Sequence, residues 1–191
     1  MYDNFFKNFE SKVLLTDSEK KLLQGFISYK KLRKNQYLLQ EGEECRFLAV
    51  VEKGAIRQYS IDDNGNTHIL QFAIEGWTIS DIFSFLTQTP STYTIEAIED
   101  SEVVLIDRTA HEELLKILPK YETYTRLQLT GAYIALQRRI NSSISLSPED
   151  RYNEFIKQYA HFFQRFPQHM IASYLGLRPE TLSRIRAKMT K

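Results

Sequence analysis

The sequence predicts an α+β protein in which an antiparallel β-barrel flanked by helices leads into a long helix and an all-α C-terminal part. Three observations support this class. Gly42, Gly54, Gly65 and Gly76 recur at intervals of 12, 11 and 11 residues, between segments rich in β-branched and aromatic residues. Turn signals at this spacing are typical of a sandwich or barrel. Beyond them, apolar residues recur at helical spacing, and the charge of the chain changes sign near residue 150.

The near-neutral charge of the chain hides an asymmetry. Its 191 residues include 25 Lys+Arg and 24 Asp+Glu, a formal charge of +1. Residues 1–150 hold 17 basic and 22 acidic residues, a net −5, whereas residues 151–191 hold 8 and 2, a net +6. The two parts therefore have different electrostatic roles, and phosphate groups would be drawn to the basic one.

Composition excludes several classes of protein. The single cysteine, Cys45, rules out an intramolecular disulfide framework and a four-thiolate iron–sulfur cluster, and it fits a reducing cytoplasm. The first residues include Asp3 and Glu10 without a continuous apolar stretch, so we expect no signal peptide. No run approaches the roughly 18 apolar residues of a membrane span. We expect a cytoplasmic protein without a membrane partner.

Helices are predicted before and after the strands. Thr16 to Glu19 resembles a capping box, which opens a short helix ending at Gly25. The strand region begins near Tyr29, and Asn64-Gly65 marks its clearest hairpin because these residues tolerate the positive φ angles of tight turns. Further strands are expected at Phe47 to Val51, Ile56 to Ile61, Thr67 to Ile74, Tyr93 to Ile98 and Val103 to Ile106. After the strands, Thr109 is expected to cap a helix that runs through Ile117.

A longer helix is predicted from Pro119, which suits a first helical turn. Its apolar residues recur at spacings of 4, 3, 4 and 4 and form one stripe: Leu129, Tyr133, Leu136, Ile140 and Ile144. The stripe has two interpretations, a helix packed on its own barrel or a coiled-coil seam between two copies. Ser147 and Pro148 are placed to cap and begin the next helix.

The last quarter, QHMIASYLGLRPETLSRIRAKM, fits a helix-turn-helix. With Gln168 first, Ala172 is small where two helices approach, Gly176 supplies the turn, and Leu182 and Ile185 face the first helix. The outward residues of the second helix then suit a DNA major groove, where arginine reads guanine and hydroxyls or lysine hold phosphate. The predicted DNA-binding residues are Arg178, Glu180, Thr181, Ser183, Arg184, Arg186 and Lys188. The alternative is an amphipathic helical pair with a solvated basic face.

These segments together resemble the Crp/Fnr family of bacterial transcription regulators over approximately residues 20–189. The resemblance rests on QYLLQEGEECRFLAVVEKGAIRQYS and DNGNTHILQFAIEGW, and more strongly on LGLRPETLSRIR. It implies a jelly-roll barrel of the cyclic-nucleotide-binding type in residues 1–118, a dimerisation helix in residues 119–146 and a helix-turn-helix domain in residues 147–191. Glu180 and Arg184 lie where the family reads bases. The compact end resembles a short-chain branch without a C-terminal wing.

The sequence departs from the family at the ligand. Members that bind cyclic AMP carry Gly-Glu and then an Arg, which hold the ribose and the phosphate. Here Ser80-Asp81 and Ser91-Thr92 stand at those places, and Arg57 is the one Arg or Lys between Lys53 and Arg108. Because a buried phosphate without a cation is poorly compensated, we expect no cyclic AMP binding and no cofactor. Candidate pocket residues for another, unknown effector are Trp77, Ser80, Asp81, Ser91, Thr92 and Tyr93.

A structural interpretation of the pocket competes with this one: Ser80 caps a short helix, while Trp77 and the pair Phe83 and Phe85 fill the barrel mouth. The four histidines are far apart in sequence and lack metal-ligand spacing, so we expect no metal site. No phosphate-binding glycine loop or nucleophile elbow occurs, so we expect no enzyme.

The sequence thus predicts a dimeric transcription regulator that binds double-stranded DNA at a palindromic operator. The dimer seam is expected at Leu129, Tyr133, Leu136 and Ile140, with contacts to RNA polymerase as a further expectation from the resemblance. The alternative is a small-molecule-binding or catalytic β-barrel whose basic C-terminal helices dock a protein partner.

Overall fold

The structure of the protein is a computed structural model, which describes residues 2–189. Eight strands form two four-stranded sheets. The strands are β1 Ser28–Leu32, β2 Tyr37–Leu39, β3 Phe47–Lys53, β4 Ile56–Ile61, β5 Thr67–Ala73, β6 Thr78–Ile79, β7 Thr94–Ala97 and β8 Ser101–Asp107. Their order is β1-β8-β3-β6 in one sheet and β2-β7-β4-β5 in the other. This jelly-roll-like pair, together with the helices, confirms the α+β class, although hydrogen bonds within the described chain do not close a barrel.

Helices lie on both sides of the strands in sequence. The described residues form α1 Asp3–Glu10, α2 Asp17–Gln24, α3 Ile82–Thr87, α4 Arg108–Ile117, α5 Pro119–Ser145, α6 Pro148–Tyr159, α7 Phe162–Arg165, α8 Gln168–Tyr174 and α9 Pro179–Met189. The start of α5 at Pro119 and of α6 at Pro148 confirms both proline predictions. Proline is tolerated there because the first helical N–H needs no partner within the helix.

Helix caps explain most of the boundaries. Thr16 forms the predicted capping box with Glu19, and Ser147 accepts a hydrogen bond from the amide of Asp150. The predicted cap of α4 is wrong: Asp107, not Thr109, accepts the amide of Ala110 at 2.8 Å. An aspartate two residues earlier provides the stronger acceptor and leaves Thr109 inside the first turn.

The helix α1 was not predicted, and its N-terminus is held from far along the chain. The backbone amides of Asn4 and Phe5 donate to the carboxylate of Glu52 in β3 at 2.9 and 3.0 Å. The side chain of Tyr2, the N-cap residue, accepts no hydrogen bond from the helix. The Glu52 carboxylate accepts the free amides of the first turn in its place. Phe5 and Phe9 are fully buried beneath the helix.

The glycine turns position the strands. Gly54 has a φ of +95°, and a Cβ there would lie 2.7 Å from the Cα of Ser101, so only glycine fits. The Asn64-Gly65 hairpin differs in detail from the prediction, because only Gly65 has a positive φ. The carboxylate of Asp62 accepts the amides of Asn64 and Asn66 and so forms a wider, three-residue loop.

The chain forms two compact units. The first comprises residues 1–60 and 71–129, and the second comprises residues 61–70 and 130–191. The hairpin tip between β4 and β5 therefore belongs with the C-terminal helices. The division into residues 1–118, 119–146 and 147–191 remains a prediction.

Candidate nucleic-acid interface

The helix-turn-helix prediction is confirmed by the packing of α8 and α9. Ile171 and Ala172 of α8 are fully buried, as are Leu182 and, nearly so, Ile185 of α9. Gly176 has a φ of +65°, which makes the turn between the helices possible at low cost. The apolar residues hold the two helices together and leave the remaining side of α9 to solvent.

That remaining side carries most of the predicted DNA-binding residues. Arg178, Glu180, Ser183 and Arg184 are exposed, and Thr181 is half-buried. Within the part of the chain that the structure describes, the side chains of Arg178, Glu180 and Arg184 form no hydrogen bond or ion pair. A concave surface is lined by Gln168, His169, Pro179, Glu180, Ser183 and Arg184. This surface presents a carboxylate, a hydroxyl and a guanidinium, which are the groups that read base edges.

Two predicted DNA-binding residues have contacts within the unit. The guanidinium of Arg186 donates to the Gln168 side chain at 2.8 Å and lies over the ring of Phe163. The ammonium of Lys188 lies 2.7 Å from the carboxylate of Glu149. Both contacts are exposed, so each contributes little to stability and can exchange for a contact to phosphate.

Gln168 and His169 were missed as interface residues. Gln168 was predicted only as the first residue of the helix-turn-helix. Its position at the start of α8, beside the exposed side of α9, was the available signal, because helix N-termini commonly contact DNA phosphates.

The apolar stripe of α5 is exposed in the single chain. The exposed fractions are 44% for Leu129, 60% for Tyr133, 49% for Leu136 and 50% for Ile140. Nearer the start of the same helix, Tyr121 and Tyr124 are buried in the core of the first unit. An exposed apolar stripe of this kind is typical of an interface, and the coiled-coil seam stays a prediction.

The candidate barrel pocket is joined by hydrogen bonds among its own residues. Asp81 is buried and caps α3 by accepting the amide of Ser84 at 3.1 Å. Its second oxygen accepts the hydroxyl of buried Ser91 at 2.7 Å. Ser91 stands where the family's arginine would be expected, and its hydroxyl donates to the carboxylate of Asp81. Neither group offers a positive charge to an anion.

The other pocket candidates have different roles. The structural interpretation in which Ser80 caps α3 is wrong, because Asp81 is the cap. The hydroxyl of Ser80 instead donates to the carbonyl of Phe47 and so connects the end of β6 to β3. Trp77 packs partly buried against the core that contains Phe85. Phe83 is 69% exposed, so the two phenylalanines do not act as a pair. Thr92 is exposed and Tyr93 half-buried.

The arginine of strand β4 is neutralised. Arg57 is paired across the strands with Glu96 of β7, and its guanidinium donates to the Glu96 carboxylate at 2.7 and 3.0 Å. It also lies over the ring of Tyr59. Because both charges are largely buried and satisfy each other, Arg57 is not available to a phosphate.

Cysteine and histidine have structural contacts. Burial raises the pKa of the Cys45 thiol, which keeps it protonated and unreactive at neutral pH. His111 is buried, its Nδ1 lies 2.8 Å from the hydroxyl of Tyr121, and burial lowers its pKa. Within residues 2–189, no cluster of three His, Cys, Asp or Glu side chains is arranged for a metal ion. No helix of that range is long and apolar enough to cross a bilayer.

Known proteins similar to this chain are regulators. A family model described as a cyclic nucleotide-binding domain matches residues 29–117. The fumarate and nitrate reduction regulatory protein of Vibrio cholerae is 27% identical over 189 residues, which cover 93% of this chain and 75% of the relative. FixK2 from Bradyrhizobium japonicum has a TM-score of 0.75 at 20% identity, over 86% of this chain and 84% of its own. A putative regulator of the Crp/Fnr family from Eubacterium rectale has a TM-score of 0.69 at 19% identity, over 92% and 84%.

Proposed function

We propose that this chain is a DNA-binding transcription regulator of the Crp/Fnr type, and that it acts as a homodimer on a palindromic operator without requiring cyclic AMP. The observation that carries the proposal is the exposed side of α9. Glu180 and Arg184 lie there and Arg178 lies directly before the helix. All three are without partners among the described side chains, in the part of the sequence with net charge +6. Unpaired groups of this kind bind base edges and phosphates.

The homodimer is proposed from the stripe on α5. Leu129, Tyr133, Leu136 and Ile140 form a continuous apolar surface, and exposure of such a surface to water is unfavourable. A second copy buries it symmetrically, because the same face of each helix can meet the other. Two recognition helices then bind half-sites about one helical turn apart.

The absence of cyclic AMP binding is proposed from the charges of the first unit. A bound cyclic phosphate needs a cation or several free donors, but Ser91 donates to Asp81 and Arg57 to Glu96. We propose that any effector of this barrel is less anionic than a nucleotide. It would contact Trp77, Ser80, Thr92 and Tyr93.

We further propose a cytoplasmic regulator without catalytic activity that contacts RNA polymerase when bound near a promoter. The single buried cysteine fits a reducing compartment.

The test is selection of bound fragments from the genome of the source organism with purified protein. We expect recovery of fragments that share an inverted repeat, with binding that weakens steeply as salt rises, because phosphate contacts release counterions. Recovery of fragments without a common sequence would contradict the base-reading role. Binding that is insensitive to salt would instead favour the alternative in which the basic helices dock a protein.

A further inference from the structure

A second concave surface lies within the C-terminal unit, away from α9. It is an open groove of about 560 Å³ between the second half of α5, the helix α6 and the end of α8. Pockets for small molecules are typically about 300 to 1,000 Å³, so the groove is large enough for more than a simple ion. None of its lining residues belongs to α9.

The lining of the groove is cationic. It includes four basic side chains, Arg138, Arg139, Arg151 and Lys157, against the single carboxylate of Glu154. Arg138 and Lys157 are exposed, and their side chains form no hydrogen bond or ion pair within the described chain. Unneutralised cations that line one concavity attract and hold anions.

Two of the arginines are fixed by carbonyl groups rather than by carboxylates. Arg151 donates to the carbonyl of Leu175 at 3.0 Å, and its buried Nε has no partner among the described residues. Arg139 donates to the carbonyls of Leu70, Ile69 and Tyr174. Since carbonyls orient a guanidinium without cancelling its charge, both arginines keep their positive charge beside the groove. Burial lowers the pKa of Arg139, though an arginine stays protonated at neutral pH.

Aromatic rings form another part of the lining. Phe155 is buried, Tyr159 and Tyr174 are half-buried, and the guanidinium of Arg139 lies 4.2 Å from the centre of the Tyr174 ring. Rings at the edge of a cationic groove suit a ligand with a planar ring of its own, because stacking adds to the electrostatic attraction.

The groove and the proposed dimer seam occupy different faces of α5. Ala135, Arg139 and Ser142 line the groove at spacings of four and three residues. Tyr133, Leu136 and Ile140 follow the same helical spacing on the other side, because a helix turns by about 100° per residue. A second copy packed on the seam would therefore leave the groove open.

We propose that this groove binds a small phosphate monoester that carries a planar ring, the chemistry of a nucleoside monophosphate. A phosphate monoester carries a charge between roughly −1.5 and −2 at pH 7, which matches several unneutralised cations better than a cyclic diester with one charge. The phosphate accepts hydrogen bonds from Arg138 and Lys157, and the ring stacks on the tyrosines. This site is distinct from the barrel pocket and needs no DNA.

Calorimetry of the full chain without DNA tests the proposal, with adenosine 5′-monophosphate as the probe. We expect saturable binding, and at least tenfold weaker binding by the double variant Arg138→Ala/Lys157→Ala. These exposed side chains support no other part of the unit, so the variant should fold normally. The matched control, Lys30→Ala/Arg33→Ala, removes two exposed cations near β1 and should bind like the unchanged protein. Absence of binding at millimolar probe, or equal affinity in both variants, would overturn the proposal.

The same variants separate a small ligand from DNA phosphate as the occupant. If the groove holds the monoester, Arg138→Ala/Lys157→Ala should bind operator DNA with unchanged affinity in the absence of nucleotide. A loss of DNA affinity together with a shallower salt dependence would assign the groove to the DNA backbone and overturn the proposal. Because the calorimetry contains no DNA, its outcome does not depend on whether the proposed operator binding is right.

Discussion

The barrel pocket and the exposed side of α9 both contain charged residues, yet they differ in whether those residues have partners. In the first unit Asp81 is bonded to Ser84 and Ser91, and Arg57 is bonded to Glu96. The side chains of Arg184 in α9 and of Arg178 directly before it are exposed and form no bond within the described chain. A charged side chain that its own protein leaves unpaired is therefore a stronger indication of a ligand than one that is paired within the fold.

The largest effect is expected from the exposed stripe. Leu136→Glu places two carboxylates opposite each other in the proposed seam, so the dimer should dissociate and the mass in sedimentation should fall by half. Leu14→Glu, at an exposed residue outside α5, is the control and should leave the mass unchanged. An unchanged mass of Leu136→Glu would mean that the stripe is not the seam.

A large loss of stability is expected where charges are paired. Glu96→Ala leaves the largely buried guanidinium of Arg57 without its partner, which should lower the free energy of unfolding by about 3 kcal/mol. Chemical denaturation measures this loss. Glu180→Ala, which removes an exposed and unpaired carboxylate, should leave stability unchanged. Equal stability of Glu96→Ala and Glu180→Ala would contradict the difference between the paired charges of the barrel and the unpaired charges of α9.

Arg184→Ala should weaken DNA binding without lowering stability, in contrast to Glu96→Ala. We expect unchanged stability, a loss of about 1 to 3 kcal/mol in binding to the selected operator, and relaxed specificity at one base pair. Binding measured on the operator and on single-base variants of it tests this expectation. An equal loss on every sequence would make Arg184 a phosphate contact instead of a base-reading residue.

Asp81→Ala should cost about 1 to 2 kcal/mol of stability. The substitution removes the cap of α3 and leaves the buried Ser91 hydroxyl without its acceptor. Asp81→Asn keeps an acceptor for the Ser84 amide and should recover part of the loss. Thermal unfolding of both variants measures the difference, and an Asp81→Ala protein of normal stability would free Asp81 for a role in ligand binding.

The smallest expected effect is that cyclic AMP does not bind. Calorimetry with cyclic AMP should give no micromolar isotherm, because Arg57, the one arginine or lysine between Lys53 and Arg108, is already paired with Glu96. The Arg138→Ala/Lys157→Ala variant is the control, since it lacks the free cations of the groove. A micromolar isotherm that persists in this variant would show that the barrel does bind the cyclic nucleotide.

Local sequence signals predicted much of the fold. The strands β3, β4 and β8, the capping box at Thr16 and the prolines that begin α5 and α6 follow from turn residues and caps that act over a few positions. The helix-turn-helix was equally predictable, because Ala172, Gly176 and Leu182 satisfy steric needs of one short motif.

Interactions over long distances in sequence were not predictable. The N-terminus of α1 is held by Glu52, 47 residues beyond Phe5, which no local pattern reveals. The caps of α3 and α4 were assigned to Ser80 and Thr109 because several oxygen-bearing residues adjoin each start, and only the backbone path selects Asp81 and Asp107. The fixed orientation of Arg139 depends on carbonyls of residues 69, 70 and 174.

The hairpin tip between β4 and β5 limits which fragments of this protein keep the contacts of the C-terminal helices. Ser173 at the end of α8 donates to the carbonyl of Thr67 at 2.7 Å and accepts the amide of Ile69 at 2.9 Å. Ten residues from the middle of the chain thus supply partners to the C-terminal helices. A fragment that starts at α5 or α6 would lack these partners. Transfer of α8 and α9 to another regulator would therefore have to include residues 61–70.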